Sequence, residues 1–564
     1  MEFLAHPIVA IVLLLGILVF VHEFGHFMVG KLCGIPVEIF SIGFGPVIFG
    51  FQHKETHYRI SVIPLGGFVK FYGALPSEEV PSFIKGREFF RASIPARLAT
   101  VFAGPVFNII LAIFVFSAMV MYGIKQAPAM IGELIPGSPA EKGGLIFGDK
   151  VVGINDEEIA SWKDLQRIIS DSPAKDLKLK IERQGQILEK TIGTETVDEK
   201  EMPGKKGRIG ISPYMIPTVF TVVNPDGFIA KLGIKTGERA LSASWNGKVY
   251  PLLFWRQWTQ FLADVSTSSE TKSFELELQN FDPEKDDAKP SSAPVRKLLI
   301  DLPSSFSFDS NSFVEATGLS QSQLTFAKIK NPELGNSLKV NDKLISWNGR
   351  AVNNLFELGE ISSENKQEIV NLEILREGKK IALPVKMQAV EVQKLEGKVT
   401  LYTLSVEFLG GLVQPEPVEE KFSNPFQALA YGTRETVEMM RNIGGALIGL
   451  FTGEMPLTTL GGPIAIAKAA SDSVKIGWQA YLSALAIISI NLALINMVPI
   501  PVLDGGQIVL IASEAVIRRP VRERTIENYQ KVGFIMVLAL IFIATYNDVG
   551  RFWASMMKGV GSMF

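Results

Sequence analysis

Residues 8–30 read IVAIVLLLGILVFVHEFGHFMVG, an apolar run that carries His22-Glu23-Phe24-Gly25-His26 near its end. A stretch of this length, uncharged up to Val21, is long enough to cross a bilayer as one helix. Three ionisable groups within a turn and a half of a lipid-embedded helix are costly unless compensated, and a bound metal is the simplest compensation. Helical positions i and i+4 share a face, so both imidazoles can reach a Zn2+ at about 2.0–2.1 Å. Glu23, beside the first of them, stands where a carboxylate can take a proton from the attacking water. The chain holds five histidines, His6, His22, His26, His53 and His57, and two of them fall four apart around a glutamate inside this helix. That placement sets the motif apart from a chance match on a soluble helix.

Two histidines leave a tetrahedral site one protein ligand short, with the fourth position kept for water. Residues 496–506, NMVPIPVLDGG, supply a candidate. Pro499 and Pro501 cannot continue a helix, so the backbone leaves helical geometry at membrane depth, where such a break is tolerated only against protein or a cavity. Asp504 is thereby predicted as the third zinc ligand, with Gly505 and Gly506 permitting close approach to the first helix.

The chain has 564 residues, 47% of them hydrophobic, 20% charged, and a mean hydropathy of +0.23. This is too apolar for an ordinary soluble protein and too charged for a pure membrane bundle, so it predicts a hybrid. The formal charge of −2 offers no footprint for nucleic acid, and the single Cys33 excludes an intramolecular disulfide framework. The N-terminal stretch has no basic start and no small-residue cleavage signal, which predicts a retained helix rather than a signal peptide. Four spans are expected, at 7–30, 99–124, 478–498 and 532–546. Lys31, Lys54, Arg59, Lys70, Lys85, Arg87, Arg91 and Arg97 follow the first span, and Arg518, Arg519, Arg522, Arg524 and Lys531 follow the third. Both loops are therefore expected in the cytoplasm, and 125–477 on the outer face. Spans one and three then run parallel, which brings the histidines and Asp504 to one depth. A further crossing by the apolar run 443–451 would separate them by about 30 Å. That run is short and carries Gly444, Gly445 and Gly449, which favours an interfacial helix.

Within the outer stretch a pattern recurs: 144–155 is echoed by 233–247 and again by 338–349, each followed by an alternating strand at Leu177/Leu179/Ile181, Phe274/Leu276/Leu278 and 369–374. The copies resemble PDZ-type modules, the middle one degraded and carrying a polar insertion at 282–290. Three small β-rich domains without a ligand remain the alternative reading. The loop 36–73 holds four short β-prone runs broken by glycine, proline and polar turns. Its sheet edge could receive an extended substrate strand, and its apolar tips could dip into the bilayer.

Taken as a set, His-Glu-x-x-His in the first span, Ala103-Gly104-Pro105 with Asn108 in the second, Pro64-Leu65-Gly66-Gly67-Phe68 in the loop, and Asn496-x-x-Pro-x-Pro-x-Leu-Asp-Gly after the third resemble the site-2 protease family of intramembrane zinc metalloproteases, nearest the bacterial RseP type. The resemblance implies zinc held by His22, His26 and Asp504, Glu23 as catalytic base, and Asn496 supporting substrate or transition state. Asn108, Gly66 and Gly67 are candidates for the same support. It further implies a bacterial inner membrane location and regulated cleavage of single-span membrane proteins, such as an anti-sigma factor or signal-peptide remnants. PDZ-like domains on the periplasmic side would gate access or bind peptide C-termini. The chain departs from the family in its three PDZ-like copies, where two are usual, and in Gln507, where many relatives have histidine.

The expected architecture is a multi-pass α-helical membrane protein with four transmembrane helices, a membrane-associated β-hairpin loop and an extracytoplasmic array of PDZ-like α+β domains. Its parts are 1–124, with the hairpin at 36–73; modules at 125–215, 216–318 and 319–415; an interfacial amphipathic helix region at 416–477; and 478–564. A zinc transporter would want polar positions along a whole path, whereas here they gather at one depth. A peptide-binding scaffold with structural zinc would normally close its metal with four protein ligands.

Overall fold

A computed structural model describes residues 7–561 apart from 76, 136, 199–204, 269–271, 283–292, 305, 310–312, 332–333, 335–336, 395–396, 454, 456 and 458–460. Nearly all of the expected polar insertion at 282–290 thus lies outside the described residues. The chain forms two compact units, Met1–Ile124 with Glu419–Phe564, and Lys125–Val418.

In the first unit, α1 (Pro7–Leu32) and α2 (Ile94–Tyr122) cross closely, with Gly25 of α1 against the backbone of α2. A Cβ at Gly25 would lie 2.5 Å from the carbonyl oxygen of Ala103, so this crossing requires glycine. Between the two helices, β1 (Val37–His53) and β2 (Thr56–Phe71) form one long hairpin, paired from His53 and Thr56 at its tip to Val37 and Phe71 at its base. It folds back so that residues 39–42 also lie beside residues 57–60. The second half of β1 exposes Val47, Ile48, Phe49 and Phe51, an apolar set that water would not favour.

The second half of this unit contributes α3 (Pro425–Thr452), α4 (Pro463–Ile476), α5 (Trp478–Asn496), α6 (Asp504–Ile517) and α7 (Glu523–Gly561). Among the described residues four helices are long and apolar enough to cross a membrane, over Val9–Leu32, Ile94–Tyr122, Trp478–Asn496 and Glu523–Gly550. The fourth is much longer than the run 532–546 suggested, because its first turns are polar and hide the helix from a hydropathy reading.

The apolar run 443–451 does not lie alone at an interface. It is the last third of α3, which packs along α2: Gly432 sits against Ser117 and Ile113, and Met439, Met440 and Ile443 join Ala112 and Phe116 in one cluster. The chain enters this pair of helices at Phe422, whose N–H donates to Val120 O, and leaves it where Gln479 donates to Gly123 O. Both points lie at the same end of α2, so the chain enters and leaves the α3 and α4 pair on one side. The N-terminus of α4 is closed by Asp548 of α7, whose buried carboxylate accepts from Gly462 N at 3.0 Å and Ala465 N at 2.9 Å. A carboxylate inside an apolar helix is thus matched to the positive end of another helix.

The second unit repeats one plan three times. Four antiparallel strands stand in the order Glu157–Glu158, Lys150–Ile154, Asp176–Arg183, Gln186–Gly193, with the helix Trp162–Ser170 against them. The same order recurs as Lys248–Pro251, Glu238–Trp245, Ser273–Asn280, Val295–Asp301 with Trp255–Thr267, and as Arg350–Ala351, Lys343–Trp347, Ile369–Arg376, Lys379–Lys386 with Leu355–Glu364. Alternate residues of each third strand, such as Leu177, Leu179 and Ile181, are buried, as a two-residue period demands. Each copy has its own core cluster.

A second repeat accompanies the first. Asp149, buried in the turn before its strand, accepts from Ile146 N and is gripped by Arg183 at 2.7 and 2.8 Å, while Arg183 also donates to Gly144 O. Asp342, Lys339 N, Arg376 and Ser337 O repeat this set. In the middle copy Glu238 takes the acid's place, with Lys235 N, Arg296 and Gly233 O. The carboxylate thereby holds its turn to the far end of the third strand, or to the fourth, and it raises the pKa of each arginine through these hydrogen bonds. Asp342→Asn is expected to destabilise the third copy by about 2–3 kcal/mol, since a buried charge-assisted pair loses one partner. Hydrogen exchange on the whole chain would show it as faster exchange in Ile369–Arg376 with Ser273–Asn280 unchanged; equal protection in both strands would remove the clasp's structural role.

Candidate metal centre

His22 and His26 project from the C-terminal part of α1 onto α2, and the residue beneath them is Gly104. A Cβ there would collide with His26 Nε2 and come within 2.8 Å of His22 Cε1, so α2 offers the imidazoles a bare shelf. The next residue, Pro105, lacks an N–H for Val101 and loosens the helical ladder at this point. His26 Nδ1 lies 2.9 Å from the carbonyl oxygen of Thr100. A carbonyl can only accept, so Nδ1 carries the proton and Nε2 presents its lone pair.

Asp504 arrives from the other half of the chain. After Asn496, the last residue of α5, residues 497–503 leave the helix, and Val502 takes φ +85, a conformation that β-branched residues rarely adopt. Asp504 then opens α6. Gly505 and Gly506 do not approach the first helix as expected; Cβ atoms there would strike the carbonyls of Met497, Val498 and Ile500, so the glycines let α6 fold tightly against its own preceding turn. Tyr529 of α7 donates to Gly506 O at 3.1 Å, and an ion pair between Arg97 and Glu514 ties α2 to α6.

The three side chains meet. Ligand atoms of His22, His26 and Asp504 lie within 4.8 Å of one another. His22 Nε2 is 3.1 Å from Asp504 Oδ2 and 3.2 Å from His26 Nε2, and His26 Nε2 is 3.6 Å from Asp504 Oδ1. Ligands at about 2.05 Å in a tetrahedron are separated by about 3.3 Å, so the spacing suits zinc. The donor set fits as well: Asp504 Oδ2 is buried without a hydrogen-bond partner, and two imidazole Nε2 atoms face each other across the same small space. These residues would hold the ion through Nε2, Nε2 and a carboxylate oxygen.

Around this cluster stand the remaining expected residues. Glu23 is half-buried, and its Oε2 accepts from Val69 N at 3.0 Å. Gly67 lies alongside: a Cβ there would press on Ser41 O and sit 3.5 Å from Glu23 Cγ, so glycine lets β2 lie close to the carboxylate. Gly66, at φ +144, packs on Phe44 rather than on the site. Asn496 Nδ2 is 3.3 Å from His22 Nε2. Asn108, wholly buried, approaches His22 from the opposite side, at Nδ1. Sequence reasoning missed the Val69 contact, since a backbone N–H has no signature of its own. It also missed the Arg97 and Glu514 pair, although a charge of each sign in otherwise apolar helices was a readable signal. Gly104→Ala is expected to lower zinc content at least about tenfold by displacing both imidazoles while helix content is kept. Elemental analysis of the purified protein would check it, and full zinc occupancy in that variant would contradict the shelf.

Residues 10–540 match the description Peptidase family M50. A putative zinc metalloprotease of Vibrio cholerae is 28% identical over 544 residues, covering 96% of this chain and 98% of that protein. The regulator of sigma-E protease RseP of Salmonella typhimurium is 27% identical over 555 residues, covering 96% and 98%. RseP of Escherichia coli is 27% identical over 553 residues, covering 95% and 97%. With a family match running from α1 into α7 across the ligand cluster, this chain belongs to peptidase family M50 and is a zinc metalloprotease.

Proposed function

We propose that this chain hydrolyses a peptide bond within the membrane-spanning segment of single-span membrane proteins, among them anti-sigma-factor-like regulators or signal-peptide remnants. The observation that carries the reading is the position of Glu23. It stands beside the ligand cluster and is fastened to a strand, residues 67–71, that among the described residues pairs on one side, with residues 37–42. A substrate stretch unwound from its helix has unmet N–H and C=O groups, and a free strand edge satisfies them by main-chain hydrogen bonds. An extended peptide on that edge runs past the carboxylate.

His22, His26 and Asp504 would hold the zinc, which would supply Lewis acidity for the hydrolysis. Glu23 takes the proton from that water and returns it to the leaving amine nitrogen. Val69 N–H keeps one oxygen of Glu23 occupied, so the other is directed to the proton transfer. Asn496, as a donor beside the cluster, supports the developing oxyanion. The basic residues after the first and third spans support an active site toward the cytoplasmic side of a bacterial inner membrane, with the three modules on the periplasmic side. There they resemble PDZ domains and would limit access by bulky substrates or take peptide C-termini.

Glu23→Gln is expected to retain zinc and lose cleavage by about 10^2- to 10^4-fold, the usual weight of a general base. The assay is cleavage of a single-span substrate by the reconstituted full chain, with zinc content measured in parallel; undiminished cutting would remove Glu23 from the chemistry. A short remnant should be cut faster than the same segment carrying a folded outer domain, and equal rates would oppose gating by the modules.

A further inference from the structure

Asn108 stands on α2 one turn beyond Gly104, on the same face, and nothing of it reaches solvent. Its backbone is held in place: the fully buried Ser489 of α5 donates its hydroxyl to Asn108 O at 2.8 Å. Its carboxamide Nδ2 lies 3.3 Å from His22 Nδ1, while its Oδ1 is buried with no hydrogen-bond partner. Carboxamide oxygen and nitrogen have nearly the same shape, and which is which follows from the hydrogen bonds they make. Exchanging the two atoms sets an acceptor against His22 Nδ1, the partner that an imidazole needs when its Nε2 faces the ligand cluster.

That orientation has a chemical consequence. With Oδ1 accepting, Nδ1 of His22 carries the ring proton, and Nε2 is left as a lone pair aimed into the space shared with His26 Nε2 and Asp504. The reverse orientation would offer Nδ1 a donor and force the ring proton onto Nε2, where it would point at the metal position. His26 reaches the same tautomer through Thr100 O. One helix, α2, thus provides an acceptor for each imidazole, a main-chain carbonyl for one and a side chain for the other.

We propose that Asn108 is a positioning residue whose carboxamide oxygen accepts the Nδ1 proton of His22 and so fixes the imidazole that offers Nε2 to zinc. It acts through His22 and touches neither substrate nor the reacting atoms, which differs from the substrate contact its motif suggested. The inference rests on the metal-centre reading above.

The test is zinc affinity of the purified, detergent-solubilised full chain, measured by competition with a chromophoric chelator, for wild type, Asn108→Asp and Asn108→Leu. Aspartate keeps an acceptor at the position, whereas leucine keeps the volume and loses it. Leucine is expected to weaken zinc binding by about 10–100-fold, and aspartate to hold it within about threefold of wild type or tighten it. A residue that merely fills space would give the opposite order, leucine harmless and a buried carboxylate damaging. Leucine equal to wild type, or aspartate weaker than leucine, overturns the proposal. Nitrogen-15 spectra of histidine-labelled wild type give a readout that needs no variant to fold: a protonated Nδ1 on both metal-site histidines supports it, and a protonated Nε2 on His22 sinks it. Failure of wild type itself to bind zinc would instead defeat the metal-centre reading.

Discussion

The structure depends on one close crossing. Gly25 of α1 and Gly104 of α2 have no side chains, so the two helices approach until the imidazoles of His22 and His26 rest directly on α2. From that contact follow the ring acceptors at Thr100 and Asn108, the ring orientation, and the narrow space into which Asp504 is brought. A helix pair separated by even one methyl would leave the histidines without a floor, and interiors packed at crystal-like density transmit such a shift rather than absorb it.

The second requirement is that a carboxylate from residue 504 share a depth with histidines from α1. The pair α3 and α4 is consistent with it, because the chain enters and leaves that pair beside the same end of α2. The helix break at 497–503 then converts the end of α5 into the start of α6, and the strain at Val502 is confined to that turn. Strained backbone persists only where its surroundings hold it, and here the glycines of α6, Tyr529 and the Arg97 to Glu514 ion pair do so.

Much of this was legible in the residues. Ionisable groups inside apolar runs are few, so His22, Glu23, His26 and Asp504 stood out, and the structure gathers them. What escaped is of another kind. The α3 and α4 pair reads as an isolated apolar patch because its polar first half packs on protein, which hydropathy does not record. The Arg183, Arg296 and Arg376 clasps escaped because each lies far along the chain from its acid, and the middle copy substitutes glutamate for aspartate. Gly505 and Gly506 were recognised as a close approach, yet the partner is their own turn, a choice between neighbours that spacing alone does not make.

The clasps also bear on how such a module tolerates growth. Acid and arginine are 34 residues apart in the first and third copies and 58 apart in the second, yet the same set of bonds forms. Lengthening a closed segment from 34 to 58 residues adds only about 0.5 kcal/mol of loop-closure entropy, because that penalty grows with the logarithm of length. The connection between the third and fourth strands is therefore a place where new sequence can be added at little cost, while the strand scaffold of the middle copy stays put.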